Sequence, residues 1–295
     1  MRFASYRRQG DSRSGLAVSI EGGPYRGLLA GEPGYPGDLQ DLVAAGPAAL
    51  TAAAEALSAG AAVDLSKVVL LPPLARPGKI LCVGLNYVDH SAESGFELPD
   101  YPTIFARFAS GFVGHKQPIV RPRISTQLDY EGELVAVIGR GGRHIPKASA
   151  LEHVAGYSIF NDGSVRDYQL KAPQWTVGKN FDGTGAFGPV LVTADELPAG
   201  GRGLKLETRL NGTVVQSAST SDMVFDVATL IALLSQAMTL EAGDIIVTGT
   251  PAGVGLARKP PLWMKPGDLC EVEIEGLGVL SNPIVDEEQA RTAAA

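Results

Sequence analysis

The stretch Leu128-Asp129-Tyr130-Glu131-Gly132-Glu133-Leu134-Val135-Ala136-Val137-Ile138 constrains the fold of this chain more than any other. It reads as a short strand whose first half carries carboxylates at alternate positions and whose second half is apolar. Successive strand side chains point to opposite faces, so Asp129, Glu131, Glu133, Val135 and Val137 share one face and Leu134, Ala136 and Ile138 the other. One face therefore passes from acidic to buried apolar within a few residues. Glu131 and Glu133 sit about 7 Å apart along such a strand. Where the sheet enters a core, their repulsion raises a carboxylate pKa unless a cation is present. That combination suggests a metal site; the alternative is a solvated strand end at the sheet margin, and this stretch alone leaves both open.

With 295 residues the chain can bury a sizeable core. Its 36 glycines and 20 prolines are spread along the length, which implies many turns between short elements and a strand-rich fold rather than a long helical bundle. A net charge of -7 removes the usual electrostatic basis for nucleic-acid binding, and the Arg7-Arg8 pair is too short to reverse it. No apolar run approaches the roughly 20 residues that span a bilayer, and Met1 to Tyr6 lacks a signal peptide's apolar segment, so the expectation is a cytosolic protein without a membrane partner. Cys82 and Cys270 are too few for a disulfide framework and lie in apolar segments, as buried free thiols do.

Residues 1 to 72 read as a small N-terminal α/β unit: two strands, Phe3 to Tyr6 and Gly15 to Ile20, around a polar turn, then an Ala-rich helical stretch from Asp38 to about Leu57 interrupted at Gly46-Pro47. Pro72-Pro73 and Pro77-Gly78 mark a boundary, and residues 73 to 290 form the second unit. Lys79 to Gly84 reads as a buried strand. After it, His90 and Glu93 are i and i+3 neighbours if their segment is helical, and a carboxylate that orients an imidazole is the usual second half of a general base. The competing reading is a surface ion pair. Gly95 to Pro102 has the composition of a lid loop.

Arg107, in the strand candidate from Thr103 to Phe108, has the fork that grips a carboxylate, or it snorkels at a strand edge. Asp162 ends a strand that starts at Tyr157, placed either to cap the helix after it or to supply a third oxygen ligand. Lys179 lies in an aromatic, Gly-flanked loop. Asn211-Gly212 is the turn of a hairpin from Leu206 to Gln216, and Asp226 to about Met238 is the longest apolar helix. Asp244 to Gly255 is a buried strand running into a Gly-rich loop without the Gly-Lys-Ser/Thr ending of a nucleotide-binding loop; its N-H groups and the Thr250 hydroxyl suit a small anion such as a carboxylate.

Taken in order, Gly84-Leu85-Asn86-Tyr87-Val88-Asp89-His90, Asp129-Tyr130-Glu131-Gly132-Glu133-Leu134, Asn161-Asp162-Gly163-Ser164-Val165-Arg166-Asp167, Trp175-Thr176-Val177-Gly178-Lys179 and Thr248-Gly249-Thr250-Pro251-Ala252-Gly253-Val254-Gly255 resemble the fumarylacetoacetate hydrolase family, its acylpyruvase and hydratase-like branch, over residues 79 to about 285. The resemblance implies an α+β, strand-rich fold with a mixed β-roll or β-sandwich catalytic domain, a homodimer, and Mg²⁺ or Mn²⁺ held by Glu131, Glu133 and Asp162. All-oxygen ligation independently suits a hard divalent cation. It also implies a catalytic His90/Glu93 pair with Lys179, and substrate contacts at Gln169 and Thr250, with Arg166 behind them. Two departures stand out. Gly163 and Val165 replace residues the family often has in that motif, and Arg107 stands where many relatives have lysine, which predicts a carboxylated substrate held by a fork. The expected activity is metal-dependent hydrolysis of a carbon-carbon bond in a 2,4-dioxo acid. The alternatives are oxaloacetate decarboxylation, hydration, isomerisation or lyase chemistry on a related 2-oxo acid, and a non-catalytic metal-binding scaffold.

Overall fold

The computed structural model describes residues 1–89 and 100–294. Its centre is a twelve-stranded mixed sheet. From one edge its main path runs through Ala61–Ala62, Arg26–Leu29, Ser14–Ser19, Arg2–Arg8, Gly185–Thr193, Val154–Asp162, Gly132–Ile138, Ile245–Val247, Ile80–Gly84 and Thr103–Ala106. Most neighbours are antiparallel, but Ile245–Val247 and Ile80–Gly84 pair parallel. A second, five-stranded sheet orders Thr213–Ser219, Lys205–Leu210, Leu269–Ile274, Gly278–Asp286 and Ile119–Arg121. The fold is α+β and strand-rich, as the glycine and proline spacing predicts.

The alternation in Gly132–Ile138 decides how the layers pack. Every residue of this strand is buried. Leu134, Ala136 and Ile138 face a core shared with Leu206, Val272 and Leu280 of the five-stranded sheet and with Leu230 and Leu234 of the helix Val227–Ala237. Val135 and Val137 face a second core, with Leu39 and Val43 of the helix Leu39–Ala45 and Leu50 and Leu57 of Pro47–Ser58. A strand covered on both faces has no room for a charge on either, so the carboxylates at its start are confined to the end of the strand.

The expected strand from Leu128 to Ile138 is broken in two. Leu128–Asp129 leaves the large sheet to pair antiparallel with Ser164–Val165, and only Gly132–Ile138 pairs with Val154–Asp162. Glu131, between the two pieces, is pinned by its N-H to Asn161 Oδ1 at 3.1 Å and by its carbonyl, which accepts from Asp162 N at 2.8 Å.

The strands of residues 1 to 72 continue the same sheet, since Arg2 and Phe3 pair with Val192 and Leu191. The expected boundary at Pro72-Pro73 is thus bridged by backbone hydrogen bonds. The helical stretch splits at Gly46-Pro47 into Leu39–Ala45 and Pro47–Ser58, where proline takes a first-turn position that needs no N-H donor. Asp226 caps Val227–Ala237 by accepting from Thr229 N at 2.8 Å. The Asn211-Gly212 turn has positive φ at both residues, the geometry that matches strand twist in a two-residue hairpin. Cys82 and Cys270 are free and buried.

One half-buried imidazole ties the two sheets' periphery to pH. His115 Nδ1 accepts from Ser281 N at 3.1 Å, so the neutral ring fits. Burial first, and then the Lys116 charge, lower its pKa to about 4. Between that value and the unfolded value near 6.5, the unfolded chain binds more protons than the native one. Stability therefore rises with pH across this window and is lost as pH falls through it. Allowing for partial exposure, His115 should account for about 1–2 kcal/mol of that loss. In urea melts from pH 7 to pH 4, a His115→Asn variant should show a correspondingly shallower fall, and an unchanged slope would contradict the assignment.

Candidate active site

Three carboxylates meet where the strands Gly132–Ile138 and Val154–Asp162 run out of the sheet. Ligand atoms of Glu131, Glu133 and Asp162 all lie within 4.8 Å of one another, and all three residues are buried. The pairing register produces this: Gly132 stands opposite Asn161 and Glu133 opposite Phe160, which sets Asp162 beside Glu131. Asp162 does not cap the following helix, whose N-cap is Val165 without a side-chain bond.

Three buried cations answer these carboxylates. Lys179 Nζ lies 2.6 Å from both Glu131 Oε2 and Asp162 Oδ2. Arg107 Nη1 donates to Asp162 Oδ1 and, at 3.1 Å, to the Gly163 carbonyl, while Nη2 reaches Thr184 Oγ1 at 2.9 Å. Arg166 Nη2 lies 2.7 Å from Glu131 Oε1. Glu133 receives the Gly249 N-H on Oε2. Burial, followed by the charges of Asp162 and Glu131, pushes the Glu133 carboxyl well above the ordinary carboxylate range. Lys179 goes the other way: burial pulls its pKa down, but Asp162 and Glu131 outweigh that and the net shift is upward, so it stays charged.

Short helices position the polar groups. Arg166–Gln169 and Thr176–Lys179 lie in contact because residue 178 is glycine; a Cβ there would sit 2.3 Å from Gln169 N. Lys179 and Gln169 are held side by side by that approach. Next to them opens a cavity of about 400 Å³. Its polar lining comes from Glu131, Glu133, Arg166, Gln169, Lys179 and Thr250, and its apolar lining includes Val83, Leu85, Leu170, Trp175 and Val254. Phe105 and Trp175 meet edge to face at 5.6 Å, and Lys179 Nζ stands 4.9 Å from the Phe105 ring centre.

The fold thus gathers Glu131, Glu133, Asp162, Lys179, Gln169 and Thr250. His90 and Glu93 lie outside the described residues. Gln169 Oε1 accepts from Arg166 Nη1 at 2.8 Å, and among the described residues nothing accepts from its Nε2. Thr250 lines the cavity with its hydroxyl already engaged, donating to the Gly132 carbonyl at 3.1 Å and accepting from Gln216 Nε2 at 2.8 Å. Arg107 needs correction. It is buried, it is absent from the cavity lining, and its fork holds Asp162 rather than a substrate carboxylate. Sequence reasoning missed Asp129 and Gln216 as supports; the alternation on the acidic face was a signal for the first, and nothing in the hairpin pointed to the second.

The donor set fits a hard divalent cation: three carboxylates at mutual reach, supplying only oxygen, one of them unfavourable as an anion without a further positive charge. A mixed sheet with a buried carboxylate triad beneath a small polar-floored cavity is the frame of a small-molecule enzyme site.

Residues 79–285 match the fumarylacetoacetate (FAA) hydrolase C-terminal family, and the chain belongs to that family. Among curated proteins it is 45% identical over 267 residues to human oxaloacetate tautomerase FAHD2A, mitochondrial, covering 90% of this chain and 85% of that one. It is 42% identical over 276 residues to the Xenopus laevis oxaloacetate tautomerase fahd2, mitochondrial, covering 92% and 86%. Among solved structures, the fumarylacetoacetate hydrolase of psychrophilic Exiguobacterium antarcticum superposes with a TM-score of 0.81 at 37% identity, over 97% of this chain and 100% of that one. The 2-hydroxyhepta-2,4-diene-1,7-dioate isomerase of Mycobacterium marinum gives 0.74 at 32%, over 97% and 99%.

The buried pairing of Arg107 with Asp162 makes a stability prediction. Arg107→Met removes one of the two cations that hold the buried Asp162 carboxylate, leaving Lys179 on its other oxygen, and should cost about 2–3 kcal/mol in chemical denaturation. A loss below about 1 kcal/mol is what a solvated edge arginine would give.

Proposed function

We propose that this protein is a divalent-metal-dependent enzyme that interconverts the keto and enol forms of oxaloacetate or a close 2-oxo dicarboxylic relative. The observation that carries the reading is the buried carboxylate triad beside a cavity that Glu131, Glu133 and Lys179 line, in a chain 42–45% identical to oxaloacetate tautomerases over nine-tenths of its length. Glu131, Glu133 and Asp162 would hold Mg²⁺ or Mn²⁺. A cation held there would supply Lewis-acid chemistry to the substrate.

The chain's own residues supply the rest. Lys179, charged and facing the cavity, stabilises negative charge as it develops on the C2 oxygen. Gln169 Nε2, which has no acceptor among the described residues, donates to a substrate carboxylate in this reading. In the keto-to-enol direction a proton leaves C3 and a proton joins the C2 oxygen, so the atoms balance without a co-reactant. The C3 proton is assigned in this reading to His90, with Glu93 the carboxylate that the sequence pairs with it; both lie outside the described residues. A homodimer, which the family resemblance implies, is part of the same reading.

A second reading, hydrolysis of a 2,4-dioxo acid, is favoured by one feature: beyond the polar floor the cavity lining is largely apolar, which suits an acyl tail better than a second carboxylate. An ultraviolet assay separates the two. Chelator-stripped protein with Mn²⁺ restored should accelerate loss of the oxaloacetate enol band with no pyruvate formed. Pyruvate from oxaloacetate would mean decarboxylation, and pyruvate from acetylpyruvate would mean hydrolysis.

The ligand assignment is checked separately. Mg²⁺ at a hundred times its dissociation constant should stabilise the wild type by about 2.7 kcal/mol. Glu133→Gln should fold, lose that stabilisation and lose at least about 100-fold in kcat; a Glu133→Gln variant that binds Mg²⁺ as tightly as the wild type would refute the triad.

A further inference from the structure

Asp129 is fully buried and absent from the cavity lining, yet its carboxylate is the best-satisfied acceptor near the site. Oδ1 accepts from Tyr130 N and Gly255 N, both at 2.8 Å. Oδ2 accepts from Leu256 N at 2.9 Å and Arg166 Nε at 2.8 Å. With two donors on each oxygen, its acceptor capacity is filled by protein groups.

Three of those donors belong to two different parts of the site. Arg166, held at Nε by Asp129, donates from Nη1 to Gln169 Oε1 at 2.8 Å and forms an ion pair with Glu131, its Nη2 lying 2.7 Å from Oε1. A planar guanidinium fixed at one nitrogen has little freedom at the other two. The amides of Gly255 and Leu256 belong to the loop whose Val254, Leu256 and Ala257 line the cavity. That loop can come so close only as glycine: a Cβ at residue 255 would lie 2.6 Å from Asp129 Oδ1 and 1.8 Å from the Leu262 carbonyl.

We propose that Asp129 is a positioning residue for this site, one carboxylate that aims Arg166 at both Glu131 and Gln169 and clamps the loop forming a wall of the cavity. The inference rests on the reading of the cavity as a metal-dependent active site. It deepens that reading by making the metal ligand Glu131 and the substrate donor Gln169 depend on one buried group that touches neither metal nor substrate.

Asp129→Asn keeps the shape but turns one acceptor atom into a donor that faces two N-H groups, and it removes the charge opposite Arg166. The folded variant should bind Mn²⁺ at least 3-fold more weakly by calorimetric titration. Its KM for oxaloacetate should rise at least 3-fold through Gln169, and its kcat should fall at least 10-fold through Glu131. In an Arg166→Met background the same substitution should change Mn²⁺ affinity little, because the effect is carried by Arg166.

A lower melting temperature with Mn²⁺ affinity, KM and kcat all unchanged would mean that Asp129 only stabilises the fold, and fully additive effects with Arg166→Met would equally overturn the proposal. Should Asp129→Asn fail to fold, Arg166→Lys decides the matter: it keeps the charge but cannot reach three partners, so wild-type Mn²⁺ affinity and KM in that variant would overturn the proposal. A wild type that binds Mn²⁺ but does not interconvert the keto and enol forms of oxaloacetate defeats the activity reading alone, and the Mn²⁺ titrations then judge Asp129. A wild type that binds no Mn²⁺ overturns both.

Discussion

Burying like charges together is the constraint on which this structure depends. Asp129, Glu131, Glu133 and Asp162 are each at most 5% exposed, and a carboxylate so far from water is costly unless it is paired and hydrogen-bonded. The chain meets that cost with Arg107, Arg166 and Lys179, themselves at most 4% exposed. Among the described residues, four carboxylates against three cations leave the cluster short of positive charge, and Glu133, whose hydrogen-bond donor there is a backbone amide rather than a cation, carries the shortage. A site short of one positive charge and built only of oxygen donors is chemically prepared for a hard cation.

The surrounding architecture is arranged around that cluster. The strand Gly132–Ile138 is covered on both faces, so its charged start emerges only where the sheet ends. Phe160 packs against Phe112 and Phe187 with ring centres 5.5 and 6.0 Å away, and Arg107 lies 5.4 Å over the same ring, so the group that holds Asp162 rests on the aromatic core. Asn86 adds a tie from the other side. It donates to the Thr248 carbonyl at 2.6 Å and accepts from Phe225 N at 2.8 Å, fixing the segment before the cavity to the loop that carries Gly249 and Thr250. Rigidity of this kind keeps opposed charges at fixed separation, which is what electrostatic stabilisation of a reaction requires.

Much of this was legible in the chain itself. Period-two alternation is local, so the two faces of Leu134 to Val137 could be read directly, as could the Asn211-Gly212 turn and the helix break at Gly46-Pro47. Motif order was enough to identify the family and to single out Glu131, Glu133, Asp162 and Lys179. The partners of long-range charges were not legible. Arg107 read as a substrate clamp because sequence shows a residue's chemistry and not its neighbour; Asp162, 55 residues away, claims its fork.

What the sequence determined by itself, then, was the set of local geometries and the inventory of reactive groups, since both depend on side-chain type and short spacing. Tertiary structure alone decided which groups face the cavity and which are buried behind it. It broke the acidic strand between Asp129 and Gly132, turned Asp129 away to hold Arg166 and the loop at Gly255, and brought Asp162 beside Glu131 through strand register. Register and charge pairing are settled by contacts between residues far apart in the chain, where satisfying every buried donor and acceptor at once leaves one arrangement.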